Sequence, residues 1–288
     1  RKVLAEGRRL SCQARVEADV VVDVPPNSQV HRQVVRKEAE ARDIELYPLV
    51  KLHYVEVAEP DMHDPSGDLQ RLELALAREW QLKDLECDLS VLQQLQPALR
   101  AGQWQVTVAV HDGSAITGVW PGLHETMLGI AFDIGSTTVA GHLCDLTSGE
   151  VLASAGEMNP QIRFGEDLMS RVSYAMMHPE GAGEMTAAVR KALDGLLATL
   201  AMRAGIKRAE ILELAIVGNP IMHHLLLGID PTPLGSAPFA LATDTAVHLT
   251  AAELGVRAHP GARVYVLPCI AGHVGADTAG VILAEEPH

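Results

Sequence analysis

Residues 130–143 place one acid, one glycine and three consecutive hydroxyls between two apolar runs: Ile130-Ala131-Phe132-Asp133-Ile134 leads in, Gly135-Ser136-Thr137-Thr138 follows, and Val139-Ala140-Gly141-His142-Leu143 leads out. Chain patterned this way folds most simply as a β-hairpin with its polar turn at the glycine. Such a turn can grip phosphate. Gly135 allows close approach of backbone to an anion, the successive N–H groups can point at phosphate oxygens, and Ser136, Thr137 and Thr138 add short donors. Asp133, at the end of the incoming strand, is placed to hold a hydrated Mg²⁺. The same residue types also suit an ordinary hairpin turn, so the neighbourhood has to decide.

Two more extended runs follow, residues 139–146 and 151–155, joined by Thr147-Ser148-Gly149-Glu150, which makes a three-stranded meander. Residues 165–177 read as a helix with Leu168, Val172 and Ala175 on one face and Glu166 and Asp167 in its first turn, where acids suit the helix dipole. Residues 186–204 carry the stripe Val189, Leu193, Leu196, Leu197 and Leu200, and Gly205 supplies a stop. Residues 214–217 read as a buried strand running into Gly218-Asn219-Pro220, which opens a helix over 221–227. Asn219 suits a phosphate contact or a turn before Pro220. Further on, Gly272-His273-Val274-Gly275-Ala276 precedes a helix over 276–285; Asp277 there reads as its N-cap or as a carboxylate that positions attacking water. Arg171 has Asp167 as an i,i+4 partner, and the adjacent His223 and His224 face different directions, which suits packing better than joint metal ligation.

Upstream, residues 48–124 form a small α+β unit: a strand over 49–57, helices over 68–80 and 89–99, and a hairpin at Asp112. Asp64-Pro65-Ser66-Gly67 and Ala101-Gly102 bracket the helices as breakers. Residues 27–47 are charged and read as a linker, and residues 1–26 as a separate N-terminal piece.

The order of three strands, helices, strand and helix, together with the Asp133 turn, resembles one ribonuclease H-like lobe of the actin-like ATPase fold. An α/β lobe over residues 125–288 is the expectation. The words Asp133-Ile134-Gly135-Ser136-Thr137-Thr138, Asn159-Pro160-Gln161, Gly165-Glu166-Asp167 with Ser170-Arg171, Val217-Gly218-Asn219 with Met222-His223-His224, and Leu267-Pro268-Cys269-Ile270-Ala271-Gly272 with Val274-Gly275-Ala276-Asp277-Thr278 narrow it. Together they resemble the ferredoxin-fused reductive activators of corrinoid proteins. That resemblance implies ATP and Mg²⁺ as cofactors, with Asp133 and Asp277 in catalytic positions and Gly135, Ser136, Thr137, Thr138, Gly218, Asn219 and Gly275 lining the nucleotide. It further implies a corrinoid protein as partner, an electron supplied by a [2Fe-2S] cluster, and allows a homodimer. Leu10-Ser11-Cys12-Gln13-Ala14-Arg15-Val16 looks like the end of a plant-type ferredoxin domain, with Cys12 its last cluster ligand. The cluster needs four thiolates, three of them closely spaced, and Cys12, Cys87, Cys144 and Cys269 are scattered; residues 1–26 are thus expected to be a remnant. The second Asp-x-Gly turn of the superfamily is missing too, so half of an ATP site, inactive alone, is expected.

A formal net charge of −14 argues against binding to nucleic acid or to an anionic membrane, because neither polyanion is attracted. Four irregularly spaced cysteines make no disulfide framework and favour a reducing compartment, so the cytoplasm is expected. Two other readings remain open. A small-molecule kinase on the same fold would need an acceptor pocket between lobes and no iron. A non-catalytic interaction module would bind no ATP.

Overall fold

Antiparallel pairing with the strand over residues 105–111 sets the first strand, β1 (Val50–Glu56), of a four-stranded sheet in a computed structural model that describes residues 45–285. The chain continues through α1 (Asp68–Trp80), β2 (Glu86–Cys87), α2 (Leu89–Ala101), β3 (Gln105–His111) and β4 (Ala115–Pro121). Strand order is β1-β3-β4-β2, with β1, β3 and β4 antiparallel and the short β2 parallel to β4. Leu72 and Leu76 of α1 and Leu95 and Leu99 of α2 pack on Val106, Val108 and Val110 of β3 to form this unit's core. The expected helix over 68–80 matches α1 at both ends, because Gln81 enters the left-handed region and stops it.

The second sheet begins with the meander β5 (Leu128–Ile134), β6 (Thr138–Asp145) and β7 (Val151–Met158). A 3₁₀ turn (Pro160–Phe164), α3 (Leu168–Met177) and α4 (Gly181–Ala204) lead to β8 (Ile211–Gly218), which returns parallel to β5. Then come α5 (Pro220–Leu227), β9 (Val247–Thr250), α6 (Ala251–Leu254), β10 (Arg263–Val266) and α7 (Ala276–Glu285). The order is β7-β6-β5-β8-β10-β9, an antiparallel meander joined to the parallel strands β5, β8 and β10. This is the ribonuclease H-like, actin-type arrangement. Leu193, Leu197 and Leu200 of α4 are fully buried against Ile130, Phe132 and Ile134 of β5.

Local signals misplace some boundaries. The helix expected from residue 165 begins at Leu168, because Asp167 accepts the Ser170 N–H as its N-cap. The helix expected from residue 186 begins at Gly181, and β8 begins three residues before the expected 214. Strands β9 and β10, four residues each, carry too little periodicity to be read from sequence. The expected ferredoxin remnant with Cys12, and most of the expected linker, lie outside the described residues.

The two sheets meet at the start of β8, at the end away from the Gly135 turn. Val50, Ala109, Met127 and Leu212 form the apolar contact. Arg263 of β10 pairs with Asp88 of α2's N-cap at 3.0 Å, and His111 Nε2 of β3 lies 3.3 Å from Glu213 Oε1 of β8. Burial pushes the Glu213 carboxyl up to about 8, against the pull of Arg263, and burial pushes the His111 imidazole down. Despite that proximity, Glu213 Oε1 takes part in no hydrogen bond among the described residues, which fits a neutral carboxyl facing a neutral imidazole. The folded chain therefore keeps a proton that the unfolded chain loses near the ordinary carboxylate value. This contribution is complete below that value and is lost as pH rises to about 8. Glu213→Gln mimics the neutral form. The variant is expected to match the wild type in urea unfolding below pH 4 and to exceed it by several kcal/mol, on the order of 4, at pH 9; equal stability at both pH values would contradict a protonated Glu213.

Candidate functional site

Parallel strands β5, β8 and β10 end on one edge of the sheet, where ligands of open α/β sheets bind. The register puts Ile134 beside Gly218 and Val266 beside Ile216, so three connections leave side by side: the 135–138 turn, Gly218-Asn219, and the loop that ends at Gly275. A Cβ on Gly275 would lie 2.5 Å from Asn219 Cα, 2.7 Å from Gly218 O and 2.6 Å from Asp277 Oδ1. Residues far apart in sequence, Asp133, Gly135–Thr138, Gly218, Asn219, Gly275 and Asp277, thus converge on this edge. Cys12 lies outside the described residues.

Leu128, Ile130, Phe132 and Ile134 point into the helix-covered core, so strand alternation turns Asp133 to the opposite face, half-buried. Val217, its partner on β8, shares that face and meets α7 at Gly280. At the turn, Gly135 N–H donates to Thr138 O at 2.9 Å. Its missing side chain serves that closure, since a Cβ would sit 2.7 Å from Thr138 O.

The carbonyls of Gly135, Ser136 and Thr137 are all held from the protein side. Asn159 Nδ2 donates to Gly135 O at 2.8 Å, Arg171 Nη2 donates to Ser136 O, and Asn159 N–H donates to Thr137 O at 2.8 Å. These peptides are trans, and in a trans peptide the N–H points opposite to the C=O. The N–H groups of Ser136, Thr137 and Thr138 therefore face away from Asn159 and Arg171. Those of Ser136 and Thr137 have no partner among the described residues. Outward N–H groups beside a half-buried carboxylate are what a magnesium-bound phosphate requires.

Asn159 and Arg171 are both fully buried. Arg171 Nε donates to Gly165 O at 3.0 Å, and Nη1 reaches Gln161 Oε1 at 3.4 Å and Met222 Sδ at 3.2 Å. Gln161 in turn donates from Nε2 to Met185 O of α4 at 2.9 Å. The expected Arg171–Asp167 pair is therefore replaced: the guanidinium turns inward, and Asp167 caps α3. Burial lowers the guanidinium to about 10, partly opposed by Asp167, so it stays charged at neutral pH.

Asn219 caps α5, accepting the Met222 N–H at 3.0 Å, with Pro220 at the first helical position. Asp277 is not the N-cap of α7. The helix already begins at Ala276, and Asp277 Oδ1 accepts from Thr278 N–H at 2.8 Å. Its carboxylate lies against Gly275 at the shared edge. His223 and His224 are buried in α5 as packing residues. His224 Nδ1 donates to Pro220 O at 2.9 Å while Nε2 accepts from Ala242 N–H at 3.1 Å, which fixes a neutral tautomer. Cys269 is buried and Cys87 and Cys144 are half-buried, each thiol pushed up by burial. No group of three His, Cys, Asp or Glu among the described residues is placed to hold a metal, so they do not fit an iron-sulfur cluster. No helix among them is long and apolar enough to cross a membrane.

A family model described as the RACo middle region matches residues 128–288, and one described as the RACo linker region matches residues 39–126. Over 159 residues the chain is 36% identical to the corrinoid activation enzyme RamQ of Eubacterium limosum, covering 55% of this chain and 27% of that protein. A solved structure of a reductive activator for corrinoid,iron-sulfur protein superposes with a TM-score of 0.76 at 31% identity, covering 99% of this chain and 48% of that one. The chain thus spans about a quarter to a half of the length of these relatives. Its six-stranded sheet and the RACo middle region coincide over the same residues, and the chain belongs to the RACo family.

Proposed function

We propose that this chain supplies the phosphate-holding lobe of an ATP-dependent reductive activator of a corrinoid protein, working in the cytoplasm. The observation that carries this reading is the row of N–H groups at Ser136–Thr138, turned outward beside Asp133 in a RACo-family chain. Asp133 would hold Mg²⁺ through water, and the turn would hold phosphate oxygens. Gly218-Asn219 and Gly275 would form a floor without side-chain obstruction, and Asp277 would orient the attacking water. ATP, when bound, supplies the free energy of hydrolysis. That energy does conformational work only if open and closed arrangements bind the nucleotide and its products unequally.

The electron would come from a [2Fe-2S] cluster that includes Cys12 and go to the cobalt of the inactivated corrinoid. The described residues hold no site for that cluster. The test uses the polypeptide as its native host makes it, purified without oxygen. Mg-ATP hydrolysis, iron content with a [2Fe-2S] spectrum, and ATP-dependent reduction of an inactivated corrinoid protein are the expected results. An iron-free protein that hydrolyses ATP only when a hydroxyl acceptor is phosphorylated would overturn the reading in favour of a kinase.

A further inference from the structure

We infer that Arg171, with Asn159, is a positioning residue of the phosphate turn: it fixes the outward direction of the turn's N–H groups and places a buried positive charge behind them. The inference rests on the nucleotide reading above. A hairpin turn needs no arginine to close. Gly135 N–H already bonds Thr138 O across this one, yet Asn159 and Arg171 take the three remaining carbonyls from Gly135 to Thr137. With the carbonyls fixed inward, planar trans peptides leave the N–H groups no other direction.

The charge points the same way. Arg171 is fully buried, and burying a cation is costly unless an anion compensates it. Among the described residues no carboxylate lies within ion-pair distance of it. Asp167, which acts on it electrostatically, uses its Oδ1 to cap α3. Neutral side chains could donate to Gly165 O and Ser136 O without that cost. A cation is favoured there if a polyanion completes it, and the turn in front of Arg171 is the proposed seat of the phosphates. Gln161 ties the arrangement to Met185 of α4, so the turn is referenced to the main core helix.

The experiment compares Mg-ATP and adenosine binding by calorimetry in the chain as its native host makes it, for wild type, Arg171→Lys, Arg171→Met and Arg190→Met. Arg190 also holds backbone carbonyls, donating to Leu226 O at 2.9 Å and Glu253 O at 3.5 Å, at the end of α5 remote from Asn219. It is the control for loss of a packed arginine. The expected result is Mg-ATP affinity about tenfold weaker in Arg171→Lys, which keeps charge but loses the guanidinium fork, and weaker still in Arg171→Met. Adenosine, which has no phosphate, should bind all folded variants alike, and Arg190→Met should bind Mg-ATP like wild type. If the Arg171 variants melt lower but keep the wild-type ratio of Mg-ATP to adenosine affinity, the residue is only structural and the inference falls while the nucleotide reading stands. If wild type binds no Mg-ATP, both fall.

Discussion

Asp133→Asn is expected to lower Mg-ATP turnover by about a thousandfold, the scale of removing one essential electrostatic contact to a reacting phosphate, while the melting temperature stays near that of the wild type. The structure separates the two effects. Asp133 sits at the end of a central strand whose backbone is paired on both sides, with Ala140 and with Val217, so the strand does not depend on the side chain. The carboxylate lies on the sheet face opposite the core formed by Phe132 and Ile134, and asparagine has the same shape there. What changes for a bound nucleotide is the charge available to water on Mg²⁺. Steady-state hydrolysis at saturating Mg-ATP, with thermal unfolding of the same preparations, reads both quantities. Unchanged turnover in a folded variant would remove Asp133 from the site and with it the assignment of this edge to nucleotide.

The residues of this edge were legible where the chemistry is local. Asp133, Gly135 and the three hydroxyls stand together in sequence, and their turn closes as that pattern implies. The stripe from Val189 to Leu200 reports a buried helix face because helical periodicity repeats several times within α4. Arg171 shows the limit. Its sequence neighbours offer Asp167 as a partner, but its guanidinium reaches Ser136, thirty-five residues away, and nothing in a local window encodes that contact. Asp277 fails for a related reason. Gly275 is pressed onto the backbone of Asn219, so the helix begins at Ala276 and Asp277 becomes its second residue. Glu213 falls just outside the strand expected over 214–217, and only the docking of the first sheet buries it beside His111.

Gly275→Ala is expected to damage this edge with a single methyl group, costing about 3 kcal/mol of stability and weakening Mg-ATP binding at least tenfold. The added Cβ would meet Asn219 Cα at 2.5 Å and Gly218 O at 2.7 Å, and both belong to backbone that has little room to move. Gly218 is paired with Ile134 at the end of β5, and Asn219 is held as the cap of α5 by its bond to Met222. The loop before α7 must therefore yield, and it carries Asp277 with it. Displacement of this loop separates the β10 connection from the Gly135 turn, so the effects on stability and on nucleotide have one origin. Gly195→Ala is the matched control, because the same methyl placed on α4 meets nothing within 4 Å and improves helix propensity by up to about 1 kcal/mol. Urea unfolding and calorimetric titration with Mg-ATP of the two variants test the argument together. A Gly275→Ala protein as stable as the wild type, with full nucleotide affinity, would mean that the three connections do not form one rigid edge.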